Sequence, residues 1–273
     1  MALRISFIEK GTGGDFALIL LHGYGGSIHH WRDIMNRLST KRRVILPNLT
    51  HLFYNSNRLL FAVQVDILAQ FIEAHFPKQK VIVAGQSYGG ALAWALSIQY
   101  PQLIEKTIFV NPLPPNPQSL IRVPELKYFL AMRLSLRSIA LLLSTPFGKV
   151  FLRRAAQAFR EERTEGAIRL ETLRGKKILF VANIIHQFSW ILRTEKWKYW
   201  EGRFHENKAP SLLIYDMNDL LFTQETYLSF ARAYKCSFTH ELSGAGHLAT
   251  LSRPASIAAF IEAFLENSDF EKN

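Results

Sequence analysis

Three residues in turn-rich loops could carry chemistry in this chain: Ser87 in GQSYGG, Asp219 in YDMNDLLFT and His247 in GAGHLATLSRP. A serine hydroxyl is a weak nucleophile at neutral pH. It needs a base within hydrogen-bond reach and a carboxylate to orient that base. Attack on a carbonyl also creates an oxyanion, which donors fixed in advance can stabilise. The turn HGYGG after the apolar run ALILL offers such donors, and the backbone amides of Tyr24 and Tyr88 are the candidates. Asp216 shares the loop of Asp219 and competes with it as the acid; position in the loop favours Asp219. His22 opens HGYGG and reads as a stabiliser of that loop. The remaining histidines, His29, His30, His51, His75, His186, His205 and His240, stand in no glycine loop and read as surface or core residues.

These residues need elements that bring them to one place. ALILLHG from Ala17, RRVILPN from Arg43 and KVIVAGQS from Lys80 are short continuous apolar runs, the pattern of strands covered on both faces of a parallel sheet. Between them, HHWRDIMNRLS and FAVQVDILAQFIEAHF place apolar residues at helical spacing. The alternation predicts a doubly wound sheet. GQSYGG then follows a buried strand and opens the helix ALAWALSIQY, which makes a strand–turn–helix elbow, with Gly85 and Gly89 where side chains would collide with neighbours. KTIFVNP is a further strand. After an interruption, APSLLIYDMND, ETYLSFARAYK, CSFTHEL and RPASIAAFIEAFLEN resume the alternation. The amino-terminal stretch from Met1 to Gly23 reads as a first strand pair without the order of a signal peptide.

At 273 residues with 48% hydrophobic and 20% charged residues, the chain has ample material for a core. No uncharged apolar run approaches the roughly 18 residues that a spanning helix needs. The single cysteine, Cys236, permits neither an internal disulfide nor a thiolate metal cluster, and a cytoplasmic location is expected. The net charge of +11 is unevenly placed. Between Pro112 and Lys208 stand 18 Lys and Arg against 8 Asp and Glu.

In HGYGGS, GQSYGG, LLIYDMND and GAGHLATLSRP, in that order, the chain resembles the α/β hydrolases of the lid-bearing serine group. The resemblance implies an α/β fold with a mostly parallel doubly wound sheet, a nucleophile elbow at Ser87, an oxyanion loop at HGYGGS, and a serine, aspartate, histidine triad. It divides the chain into a core, residues 1–112 and 209–273, and a helical lid inserted at 113–208. The resemblance covers about two thirds of the chain. NLTHLFYNS departs from the glycine-containing loop common in relatives, and Asp216 stands where they commonly carry glycine. A serine at position 87 argues against the aspartyl-ester chemistry of dehalogenases and epoxide hydrolases of this fold.

Within the insertion, ELKYFLAMRLSLRSIALLL, GKVFLRRAAQAFREER and GAIRLETLRGKKILFVANIIHQFSWILR are amphipathic helical patterns. A lid lined by Phe129, Met132, Leu136 and Leu143 would favour an apolar acyl group. Its positive charge fits a solvated surface, or attraction to an anionic membrane or acidic substrate. Nucleic-acid stacking by WKYWEGRFH is the weakest of these readings, and no nucleic-acid partner is expected. The expected function is hydrolysis of a small carboxylic ester with a hydrophobic acyl or alcohol part, through an acyl-enzyme. Hydrolysis of a C–C bond, thioester or amide, and acyl transfer, would use the same groups; a non-catalytic ligand- or membrane-binding module is the alternative of another class. The serine mechanism supplies its own nucleophile, base and electrostatics, so neither metal nor organic cofactor is expected. Oligomeric state stays open.

Overall fold

Runs that are apolar at almost every position become interior strands. The computed structural model of the protein describes residues 5–53, 59–124, 127, 132–148, 150 and 176–266. In chain order these hold β1 (Phe7–Lys10), β2 (Leu18–Leu21), a 3-10 turn (Ile28–Trp31), α1 (Arg32–Leu38), β3 (Val44–Pro47), α2 (Thr50–Phe53), α3 (Phe61–His75), β4 (Val81–Gln86), α4 (Tyr88–Gln99) and β5 (Ile104–Val110). Next come α5 (Pro117–Leu120), α6 (Leu136–Ser144), α7 (Lys176–Thr194) and α8 (Trp197–Gly202). The chain continues through β6 (Ser211–Asp216), α9 (Gln224–Tyr234), β7 (Phe238–Leu242), α10 (Ala249–Ser252) and α11 (Pro254–Glu266).

The strands form one sheet in the order β1-β3-β2-β4-β5-β6-β7, with every neighbouring pair parallel except β1 and β3. This is the α/β hydrolase fold that the motifs imply. Because side chains alternate along a strand, each apolar run feeds two cores. Ile19, Leu21, Val83 and Leu213 join α3, α4 and α9 on one face, whereas Leu18, Leu20, Ile82 and Leu212 join α1 and α11 on the other. The edges β1 and β7 are largely exposed; β7 turns Thr239, His240 and Glu241 outward, while β1 leaves Phe7 and Ile8 exposed beside Glu9 and Lys10. α4 is buried from Tyr88 to Ile98, which explains why its sequence is apolar all round.

One expectation needs correction. β1 and β2 do not pair with each other: β1 runs antiparallel to β3, which lies between them. The connection Gly11–Ala17 is too long for a tight hairpin and crosses the end of β3, where Arg43 N–H donates to Gly13 O at 3.0 Å. Both tryptophans of WKYWEGRFH belong to the core. Trp197 and Trp200 are buried and pack against Phe61 at ring distances of 5.1 and 5.6 Å, so they fill the core instead of offering faces to bases.

The described residues between β5 and β6 that have regular structure are helical. α6 and the amino half of α7 pair through Ile139, Leu143, Ile178 and Ala182, while Ile191 and Leu192 at the carboxyl half of α7 join the main core. The helical pattern GKVFLRRAAQAFREER lies outside the described residues except at its start, and so do residues 166–175 of the third pattern.

Candidate active site

Parallel register decides where the loops meet. Leu21 pairs with Gly85, Gln86 with Val110, and Val110 with Ile214, so β2, β4, β5 and β6 end side by side. Loops leaving these carboxyl ends gather over one crevice.

Ser87 stands in the turn from β4 into α4 with φ 53° and ψ −119°. That backbone conformation costs about 1–3 kcal/mol for a residue with a side chain. Backbone bonds hold it. Ser87 N–H donates to Val110 O at 3.1 Å, and Ser87 O accepts from Leu113 N–H at 2.8 Å and Ala91 N–H at 3.1 Å. The elbow is tight enough to require its glycines: a Cβ on Gly85 would stand 2.1 Å from Gly89 O, and one on Gly89 2.2 Å from Leu21 O.

The Ser87 side chain meets His247, whose Nε2 lies 2.9 Å from Ser87 Oγ. His247 Nδ1 lies 2.7 Å from Asp219 Oδ2. An ionised carboxylate can only accept, so Nδ1 carries the proton and Nε2 is left to accept from the serine hydroxyl. Asp219 is fully buried and accepts two more bonds, from Leu221 N–H at 2.7 Å and Tyr227 O–H at 2.5 Å. Burial pushes its pKa up, but the adjacent His247 and these hydrogen bonds outweigh that, and the carboxyl lies below its ordinary value.

Asp216 has a different occupation. It is also fully buried, but its oxygens accept backbone N–H groups, Oδ1 from Asn218 at 2.8 Å and Oδ2 from Ala245 at 2.6 Å. It therefore ties the loop after β6 to the loop that carries His247. Of the two acids, the structure brings Asp219 to the histidine.

Sequence reasoning overlooked the residues that hold this loop. Asn111, at the end of β5 with φ 42°, accepts Asp216 N–H through Oδ1 at 2.8 Å and donates through Nδ2 to Gly246 O at 2.8 Å and His247 O at 3.0 Å. Gln86 Nε2 also donates to His247 O, at 3.2 Å. The available signal was a polar residue at the carboxyl end of a central strand, where α/β sites form.

Tyr88 follows Ser87 directly, and Gly23, the residue before Tyr24, comes close to it: a Cβ there would stand 3.1 Å from Ser87 Cβ. Both tyrosine hydroxyls are engaged in the scaffold: Tyr24 O–H donates to Phe53 O at 3.0 Å and Tyr88 O–H to Gln64 Oε1 at 3.1 Å. Tyr88 is the first residue of α4, where N–H groups have no intrahelical acceptor and the helix dipole favours negative charge. His22 accepts Leu49 N–H at Nε2, 3.0 Å away, and its Nδ1–H donates to Gly23 O at 3.0 Å. Burial lowers its pKa to about 4, which makes it a neutral strut between the loops after β2 and β3.

Of the expected apolar lining, Phe129 lies outside the described residues, Met132 is largely exposed, and Leu143 is buried in the α6–α7 pairing, which Leu136 flanks. Two rings missing from that expectation do approach the site. Phe188 of α7 packs on Tyr24 at 4.7 Å and Tyr88 at 6.1 Å, and Phe222 lies 6.2 Å from the His247 ring. The departure NLTHLFYNS contributes α2, whose Phe53 stacks on Tyr24 at 4.9 Å. Among the described residues no three His, Cys, Asp or Glu side chains are grouped so as to hold a metal ion, and no helix is long and apolar enough to cross a membrane.

A family model described as alpha/beta hydrolase fold matches residues 17–254. Protein ABHD8 of Mus musculus is 24% identical over 94% of this chain but 56% of its own length, so the chain spans little more than half of that relative. The pimeloyl-[acyl-carrier protein] methyl ester esterase of Vibrio vulnificus is 29% identical over 42% of this chain and 43% of its own. Among solved structures, a membrane phospholipase A described as a bacterial virulence factor superposes with a TM-score of 0.71 at 17% identity, over 96% of this chain and 82% of that one; this is similarity of fold.

Proposed function

The chain belongs to the alpha/beta hydrolase fold family, and from that premise we propose that it is a serine hydrolase of small carboxylic esters with a hydrophobic acyl or alcohol part. The observation that carries the reading is the continuous hydrogen-bonded chain from Asp219 through His247 to Ser87, with links of 2.7 and 2.9 Å. In this mechanism His247 Nε2 takes the hydroxyl proton as Ser87 Oγ attacks the ester carbonyl. The backbone amides of Tyr24 and Tyr88 donate to the oxyanion, and such donors contribute roughly 3–4 kcal/mol each where measured. Asp219 keeps the imidazole in the tautomer that can accept and stabilises the imidazolium.

Collapse of the tetrahedral intermediate breaks the bond to the alcohol, which leaves with the proton returned by His247. Water then gives its proton to His247 and attacks the acyl-enzyme, and the carboxylic acid departs as Ser87 Oγ recovers a proton. Phe188 and Phe222 form the apolar flanks of the substrate. Residues 113–208 act as the lid over the domain of 1–112 and 209–273, anchored to its core through Ile191, Leu192, Trp197 and Trp200. The Vibrio relative named as a methyl ester esterase supports an ester over an amide.

The test is turnover of soluble nitrophenyl esters of graded acyl length. Wild type should hydrolyse them, and Ser87→Ala should lower kcat by at least ~1000-fold. No turnover on any acyl length, or full turnover by the variant, would reject the assignment.

A further inference from the structure

α7 has one end in the site and the other at the surface. It is 19 residues long, about 28 Å at ~1.5 Å per residue. Phe188 packs on Tyr24 and Tyr88, whereas Leu179, about 13 Å earlier along the helix, is 52% exposed. On α6, Ile139 and Leu143 face α7, and Leu141 lies on the far side, 71% exposed. Phe147, just past the end of α6, is 72% exposed. Leu141 and Phe147, both large, apolar and this open, mark an interaction surface along the carboxyl half of α6.

The charge beside them identifies what fits it. Stretches 132–150 and 176–194 contain Arg133, Arg137, Lys149, Lys176, Lys177 and Arg193, and no Asp or Glu. Arg133 and Arg137 are exposed, and Arg137 stands one turn before Leu141 on the same face of α6. A solvated helix face would mix both signs of charge and would not present Leu and Phe together. Exposed Leu and Phe among charges of a single positive sign complement a surface with an apolar interior and a negative rim.

We infer that α6 and the amino half of α7 dock on an anionic phospholipid bilayer. Leu141 and Phe147 enter the boundary between headgroups and acyl chains, and Arg133 and Arg137 contact the anionic headgroups. α7 then joins the docked surface to Phe188, which packs on Tyr24 and Tyr88 beside Ser87. Docking itself does not depend on the esterase reading; only the consequence does, that apolar esters held in a bilayer reach Ser87 without crossing water.

The experiment uses the full chain with Ser87→Ala, which keeps binding separate from turnover, in flotation with phosphatidylcholine vesicles with or without phosphatidylserine. Binding should be at least about tenfold stronger with phosphatidylserine and should weaken as salt rises. Leu141→Asp with Phe147→Asp should lower it about tenfold or more, and Arg133→Gln and Arg137→Gln roughly fivefold each. The milder pair Leu141→Ser and Phe147→Ser should act in the same direction, and thermal unfolding should match the parent in all of them. On the Ser87 background, turnover of a soluble short ester should be unchanged. Absence of binding to phosphatidylserine vesicles, or binding that survives Leu141→Asp with Phe147→Asp, overturns the inference. So does self-association that those substitutions abolish in a protein that ignores vesicles, since the face would then join copies of this chain.

Discussion

Replacing each of the two buried carboxylates by its amide distinguishes their roles. In Asp219→Asn, one side-chain oxygen can still accept Leu221 N–H, but the NH2 then occupies the place of Oδ2 and faces His247 Nδ1, which lies 2.7 Å away in the parent. An amide donor there forces the imidazole proton onto Nε2, and Nε2 can no longer accept from Ser87. In serine-histidine-aspartate enzymes this tautomer change lowers kcat about 10,000-fold, or roughly 5 kcal/mol of transition-state stabilisation. In Asp216→Asn the NH2 faces Ala245 N–H or Asn218 N–H, so one buried donor loses its acceptor. The expected effect is about 1–3 kcal/mol of stability and a Tm lowered by roughly 2–10 °C, with activity within about tenfold of wild type well below that Tm. The assay is kcat and KM on a soluble nitrophenyl ester alongside a thermal melt of each variant. A stable Asp216→Asn that loses as much activity as Asp219→Asn, or an Asp219→Asn that retains it, would refute the assignment of the acid.

Three further outcomes follow from the surroundings of the site. Asn111→Ala removes two hydrogen bonds that seat the histidine loop and one to Asp216 N–H, and leaves Ala at φ 42°; it should lower kcat with KM little changed and reduce Tm, read by kinetics and calorimetry. His22 has its pKa lowered from 6.5 to about 4 in the fold, so the unfolded chain binds its proton first and stability drops as pH falls through that window, by up to about 3 kcal/mol. Urea midpoints across the window should show this slope, and His22→Gln should flatten it; an unchanged slope would exclude His22 as its source. Phe188→Ala opens the flank beside Tyr24 and Tyr88 and should shift the preferred acyl length in the ester panel, with stability less affected than for a core ring.

Much of this arrangement was legible before any coordinates. Gly85 and Gly89 around Ser87 announce a turn that side chains cannot enter, and continuous apolar runs announce strands covered twice. What escaped was long-range. Asn111 looked like the end of a strand, because its three partners lie 105 to 136 residues away and leave no local periodicity. Sequence adjacency pairs β1 with β2, whereas the free edge of β3 takes it instead. Leu143 carries an apolar pattern that fits both a pocket wall and helix pairing; only the approach of Ile178 and Ala182 decides for pairing. Trp197 and Trp200, amid basic residues, likewise reveal their burial only once α3 and α4 are in place.

The central claim is that Ser87 is a nucleophile activated by His247. Covalent labelling with a fluorophosphonate probe tests it most directly, since the probe captures an activated serine whatever the natural substrate. Wild type should label, Ser87→Ala should not, and His247→Ala should label far more slowly. Labelling that persists in Ser87→Ala, or wild type that stays unlabelled while folded, would contradict the account.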